Sequence, residues 1–133
     1  MPLVIGILLA LAVGVMGTIV QLDRDRAFYP TIMIVIALLY SLFAVIGGST
    51  QELMLEALVG SVFLAMALWG FKSSLWIVVM ALAGHGVMDI FHGRVIDNPG
   101  VPTFWPAFCS SYDLVAAVYL AWLIRSGRVP ATD

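Results

Sequence analysis

Five stretches of this chain are long and apolar enough to cross a bilayer, and that pattern removes most folds from consideration. A membrane core takes about 20 mostly apolar residues per helix, with a working range of about 17–25. Residues 2–22, 28–47, 51–71, 74–92 and 105–125 meet that requirement. Inside a bilayer the backbone has no water to bond, so each segment is expected to satisfy its own amides and carbonyls as a helix. The expected fold is all-α, an integral membrane bundle of five transmembrane helices forming a single domain over residues 1–133. Composition agrees, since 62% of the residues are hydrophobic and 11% charged, outside the range of soluble domains.

The opening run, "MPLVIGILLALAVGVMGTIV", has the small residues of a signal-peptide cleavage site at Ala10–Leu11–Ala12. It lacks a basic segment before it, and the apolar run continues to Val20, so a retained first span is expected. The breaks between spans are "DRDR" at 23–26, "GGST" at 47–50, "KSS" at 72–74 and the longer "GRVIDNPGVPTFW" at 93–105. Gly and Pro in the last of these predict an ordered turn. Pro2, Pro30 and Pro106 stand near proposed helix starts, where a missing N–H costs little.

Basic residues set the expected direction. With the N-terminus outside, the inner side holds Arg24, Arg26, Lys72, Arg125 and Arg128, and the outer side only Arg94. The C-terminus is then cytoplasmic, and the expected location is a cytoplasmic (inner) membrane crossed several times. The first partner is the lipid bilayer itself. A net charge of −2 with six scattered basic residues argues against nucleic acid. Cys109 is the sole cysteine, so no internal disulfide can form.

Depth gives the sharpest functional signal. The segment "GHGVMDIFHG", 84–93, holds both histidines of the chain, with an aspartate between them. On this topology His85, Asp89 and His92 of the fourth span, Glu52 and Glu56 of the third, and Cys109, Tyr112 and Asp113 of the fifth all fall in the outer half. At about 100° per residue, His85, Asp89 and His92 fit an arc of about 60°. Asp89-x-x-His92 has the carboxylate-x-x-histidine spacing of di-metal bundles. Four carboxylates (Glu52, Glu56, Asp89, Asp113) share this leaflet with no Lys or Arg inside it. Unpaired carboxylates are very unfavourable in low dielectric, so the group must hold protons or a metal cation.

A divalent metal, Zn, Fe or Mn, is the favoured occupant, with His85, Asp89, His92, Glu56 and Asp113 as candidate ligands. Asp89, Glu56 and Asp113 are also the candidate general acids and bases. Plainer roles stand beside these. Glu52 follows Ser49 by three, the spacing of a capping box. His92 near a helix end suits a cap, and His85 an interhelical hydrogen bond. Cys109 and Tyr112 read as packing residues. The stripe Gly6, Ala10, Gly14 suits a helix-packing face or a homodimer face. Phe104 and Trp105 suit interfacial anchors, and their loop suits a lid.

The run from "HGVMDIFHG" through "NPGVPTFWPAFCSSYD", about the last third of the chain, resembles a family of small bacterial multi-spanning proteins of unknown function. The resemblance implies a unit built from the last two spans and their joining loop, and no activity. The HxxxD pattern also looks superficially like membrane hydrolases of the ceramidase and adiponectin-receptor type. Those have seven spans and further histidines, which this chain lacks.

Three functions are therefore expected as alternatives. The first is a metal-dependent membrane hydrolase or oxidoreductase acting on a lipid or amphiphile that arrives sideways. The second is a small proton or cation transporter component. The third is a structural or partner-binding subunit. Few polar residues are expected in the inner half (Thr18, Gln21 and Thr31 near the surface), which favours a one-sided pocket over a through-route.

Overall fold

The computed structural model describes residues 1–133 and contains helices and turns without a strand. The helices are α1 (Pro2–Ile19), α2 (Phe28–Ile46), α3 (Thr50–Lys72), α4 (Leu75–Val95) and α5 (Trp105–Arg125), with a short 3-10 turn at Leu22–Arg24. All five α-helices are long and apolar enough to cross a membrane.

Two boundaries differ from those expected by more than one residue, each for a local reason. The first helix ends at Ile19 rather than residue 22, because Gln21 turns into the left-handed region at φ 65°. The fourth runs to Val95 rather than 92, its last turn closed by the Ile96 N–H on the His92 carbonyl. His92 lies in the last turn of the helix, as expected, but its side chain is buried in the bundle. At the start of α3, Ser49 accepts from the Glu52 N–H and its hydroxyl bonds the Glu52 carboxylate, so Glu52 serves the cap.

Along the bundle the neighbours are α1–α5–α4–α3–α2, with α2 also touching α4. The first and last helices of the chain are thus partners. Gly6, Ala10 and Gly14 are buried, and the structure fills that stripe with α5 of the same chain. A Cβ on Gly14 would sit 3.1 Å from the Tyr119 ring, and one on Gly6 would run into Ser111 and the Phe108 carbonyl. Close backbone approach through small residues is how helices associate where lipid supplies no hydrophobic drive. Met33, Leu82, Leu120 and Leu123 form the dry interior, while large apolar side chains such as Leu8, Ile19, Leu58, Met80 and Val118 are exposed, as suits a surface bathed in acyl chains.

One end, here called lower, carries the 20–27 turn, the α3–α4 turn and the C-terminal tail. Arg26 ties them together: Nη1 donates to the Pro130 carbonyl (2.8 Å), Nη2 to the Phe71 carbonyl (2.9 Å), and Nε lies 3.0 Å from Asp133. The Leu75 N–H adds a bond to the Ala131 carbonyl at 2.8 Å, and Val129 is buried beneath the tail. Five of the six basic residues, Arg24, Arg26, Lys72, Arg125 and Arg128, belong to this end and Arg94 alone to the other. The upper end holds the N-termini of α1, α3 and α5 and the 96–104 loop.

Candidate metal centre

Two polar groups lie in the upper half, and both are buried. In the first, His85 and Asp89 project from α4 and Cys109 and Asp113 from α5, each pair one turn apart. One potential ligand atom from each of the four lies within 4.8 Å of the other three. His85 Nδ1 is 2.7 Å from Asp113 Oδ2 and 3.4 Å from Asp89 Oδ2, and the Cys109 thiol donates to Asp113 Oδ2 at 3.8 Å. Gly86 permits the convergence. A Cβ there would stand 3.0 Å from the Ser110 carbonyl and 3.1 Å from Asp113 Cβ, so any side chain would push α5 outward.

In the second group His92 Nε2 lies 2.8 Å from Glu56 Oε1. Asn98, buried although it belongs to the loop, donates to the same oxygen at 3.0 Å and to the Tyr40 carbonyl at 3.1 Å. Asn98 Oδ1 accepts from the Gly100 N–H at 3.1 Å, which fixes the amide's direction. The loop therefore seats one polar side chain on the cluster. Trp105 packs inward at 5.0 Å from Phe43 and 5.1 Å from Phe108, while Phe104 is exposed and free to meet lipid.

Tyr40 stands between the groups, its ring stacked on His92 with centroids 4.0 Å apart and 5.9 Å from His85. The five residues singled out as ligands are accordingly divided. His85, Asp89 and Asp113 share one group, and Glu56 and His92 pair with each other beside it. Sequence reasoning took Cys109 for a packing residue, yet its sulfur belongs to the four-ligand group; its i, i+4 relation to Asp113 was the available signal. Asn98 and Tyr40 carried none, because loop docking and the facing of α2 are tertiary facts.

A cation suits the first group on two counts, and the spacing sets a condition on it. Both oxygens of Asp89 and Oδ1 of Asp113 are buried with no hydrogen-bond partner, as is the Tyr40 hydroxyl. Buried polar groups are seldom left so, and a carboxylate least of all. No Lys or Arg approaches His85, Asp89, Cys109 or Asp113 within ion-pair distance. The ligand atoms of a tetrahedral zinc ion stand about 3.3–3.8 Å apart, so a spread of 4.8 Å requires the most distant pair to close by about 1 Å. The 2.7 Å bond between His85 and Asp113 must open by about 0.6 Å, so proton and metal compete for that pair.

The lower half is less bare than expected. The Thr18 hydroxyl donates to Asp23 Oδ2 (2.5 Å) and is 2.9 Å from the Tyr119 hydroxyl, which is left to donate to it. Asp23 is buried, and a polar cavity of about 270 Å³ bounded by Arg24 and Arg128 opens beside it.

No family model matches this chain, and no curated protein or solved structure proves similar to it. The centre is accordingly interpreted from its own chemistry.

Proposed function

We propose that this multi-pass membrane protein holds one divalent cation on His85, Asp89, Cys109 and Asp113, and uses it on a lipid or other amphiphile. The single observation that carries the reading is the convergence of four buried potential ligands, three of their carboxylate oxygens unpartnered. A thiolate beside an imidazole favours zinc or iron(II) over manganese. When bound, such an ion would supply a Lewis acid, and it would make water a usable nucleophile near neutral pH where one of the four groups yields its place or a fifth position opens.

The chain's own residues would divide the remaining work. Glu56 and His92, a hydrogen-bonded pair outside the ligand group, are placed to take and return a proton, with Asn98 holding the carboxylate in place. Tyr40 carries an unpartnered hydroxyl between this pair and the ligands. We further propose that the upper end faces outward from a cytoplasmic membrane, because the basic residues gather at the lower end.

Metal analysis of protein purified in detergent and of its Asp113→Ala variant tests the reading. About one equivalent of zinc or iron, lost in the variant, is the expected result. Metal-free protein that keeps its fold through substitution of Asp89 and Asp113 would instead make this a structural or partner-binding subunit. A second reading, proton or cation passage, is favoured by the Tyr119–Thr18–Asp23 chain in the lower half. It predicts potential-driven proton uptake by proteoliposomes, sensitive to Asp23→Asn.

A further inference from the structure

We infer that the cavity beside Asp89 binds a single-chain amphiphile whose head carries no negative charge and which enters sideways from the bilayer. The inference rests on the proposed centre as the place of chemistry and names the substrate class it would take. Between the upper ends of α1, α4 and α5 lies a cavity of about 630 Å³, within the range that houses one small-molecule ligand. Its lining has two characters. Leu3 and Ile7 of α1 and Ile90 of α4 line it and are also exposed on the bundle's outer surface, so the cavity opens toward lipid. Asp89, Ser110, Ser111 and Thr103 give it a polar wall.

Asp89 is the decisive member, being 1% exposed, with no hydrogen bond to either carboxylate oxygen and only the His85 ring nitrogen 3.4 Å from one of them, while lining this space. Such a group calls for a hydrogen-bond donor or a cation. A smaller cavity of about 240 Å³, lined in part by His92 and Asn98, shares Thr103 and Pro106 with the first. Its polar loop side gives water a way to the same place from the membrane surface. An amphiphile's head would thus lie where the two cavities meet, its tail along Leu3, Ile7 and Ile90.

Charge selects the head. Neither cavity has a Lys or Arg in its lining, and Arg94, the one basic residue at this end, is exposed and outside both. The start of α5 is a weak substitute for one: Pro106 has no N–H, the Trp105 N–H is bonded to the Pro102 carbonyl and that of Phe108 to the Phe104 carbonyl, which leaves a single amide, that of Ala107, against a buried carboxylate. Phosphate and carboxylate heads are commonly recognised by guanidinium groups or free helix-terminal amides. A hydroxyl, amide or amine head meets a carboxylate and three hydroxyl side chains here, and an anionic head meets net repulsion, because two carboxylates and a thiolate outweigh even a bound divalent cation.

Thermal unfolding of metal-stripped protein in zwitterionic lipid nanodiscs tests the inference, with three probes of equal chain length: 1-dodecanoylglycerol, dodecylamine and dodecyl phosphate. The glycerol ester and the amine are expected to raise the midpoint by about 3–8 °C at saturation, and the phosphate to leave it unchanged. Ala107→Phe, which fills the cavity from α5, should abolish the rise. Should that variant not fold, Ile7→Trp at the lipid-facing mouth serves in its place. An equal rise with dodecyl phosphate, a rise that survives filling, or no rise with any probe overturns the inference. Because the metal is removed throughout, failure here is separate from failure of the metal stoichiometry.

Discussion

His85 and Asp113 meet at 2.7 Å across the α4–α5 interface, and a missing side chain at the next position makes that distance possible. Gly86 brings the two backbones close enough for an imidazole on one helix to reach a carboxylate on the other. Gly86→Ala introduces a methyl 3.0 Å from the Ser110 carbonyl, a rigid backbone atom. The expected cost is about 1–3 kcal/mol of stability, with a fall in bound metal greater than the fall in folded protein. Thermal unfolding and metal analysis on the same sample check both; unchanged metal content would remove Gly86 from the account.

Cys109 separates a metal centre from a purely hydrogen-bonded one. Cys109→Ser keeps the size of the buried group and replaces a soft ligand with a hard one. The protein should fold and bind zinc at least about 10-fold more weakly, in line with the loss of a well-placed group at a metal site. Cobalt-substituted protein should also lose a sulfur-to-metal charge-transfer band. The same band in protein and variant would place the sulfur outside the coordination sphere.

The second polar group predicts a different outcome. His92→Ala leaves Glu56 buried with Asn98 as its remaining donor. Removing one partner of a buried pair costs about 3–5 kcal/mol. Metal stoichiometry should survive in whatever fraction folds, because the four ligands do not include His92. Glu56→Gln, which removes the buried charge and can still accept from Asn98, should restore much of the lost stability in the double variant. Equal metal loss in His92→Ala and Asp113→Ala would merge the two groups into one site.

The span count and the polar leaflet were legible in the sequence because both depend on composition along a line. Twenty apolar residues make a span whatever surrounds them, and depth follows from counting turns. Partner choice was not legible. Nothing in α1 alone says that Gly6 and Gly14 lie on α5, since any helix could fill so smooth a face. The separation of Glu56 and His92 from His85, Asp89 and Asp113 also escaped the periodicity. His85, Asp89 and His92 do share a face of α4, but which neighbour each meets depends on where α3 and α5 sit. The early end of α1 turns on one left-handed residue, Gln21, whose type gives no strong warning of it.

Arg26 supplies a stability prediction at the lower end. Its two guanidinium bonds to carbonyls join the 20–27 turn, α3 and the tail, whereas its partner Asp133 is largely exposed and contributes little. Arg26→Ala should cost about 1–3 kcal/mol and expose residues after Ser126 to protease. Asp133→Ala should do neither. Limited proteolysis followed by mass measurement distinguishes them, and a tail protected in both would assign its hold to Val129 and the Leu75–Ala131 bond instead.

Orientation has its own readout. Reporters fused after residue 133 should be active only on the cytoplasmic side, and Arg24→Glu combined with Arg128→Glu should weaken that preference. An external C-terminus would reverse the direction while leaving both polar groups in a common leaflet.

The pairing of α1 with α5 also sets an order of events at the ribosome. α1 is made before α5 by the length of three further segments, so in a bilayer its glycine face would have no α5 against it while α2, α3 and α4 are threaded. Cys109 and Asp113 arrive with α5. Until that helix is made, His85 and Asp89 wait as half of the proposed centre, and any ion captured early would lack the ligands that retain it.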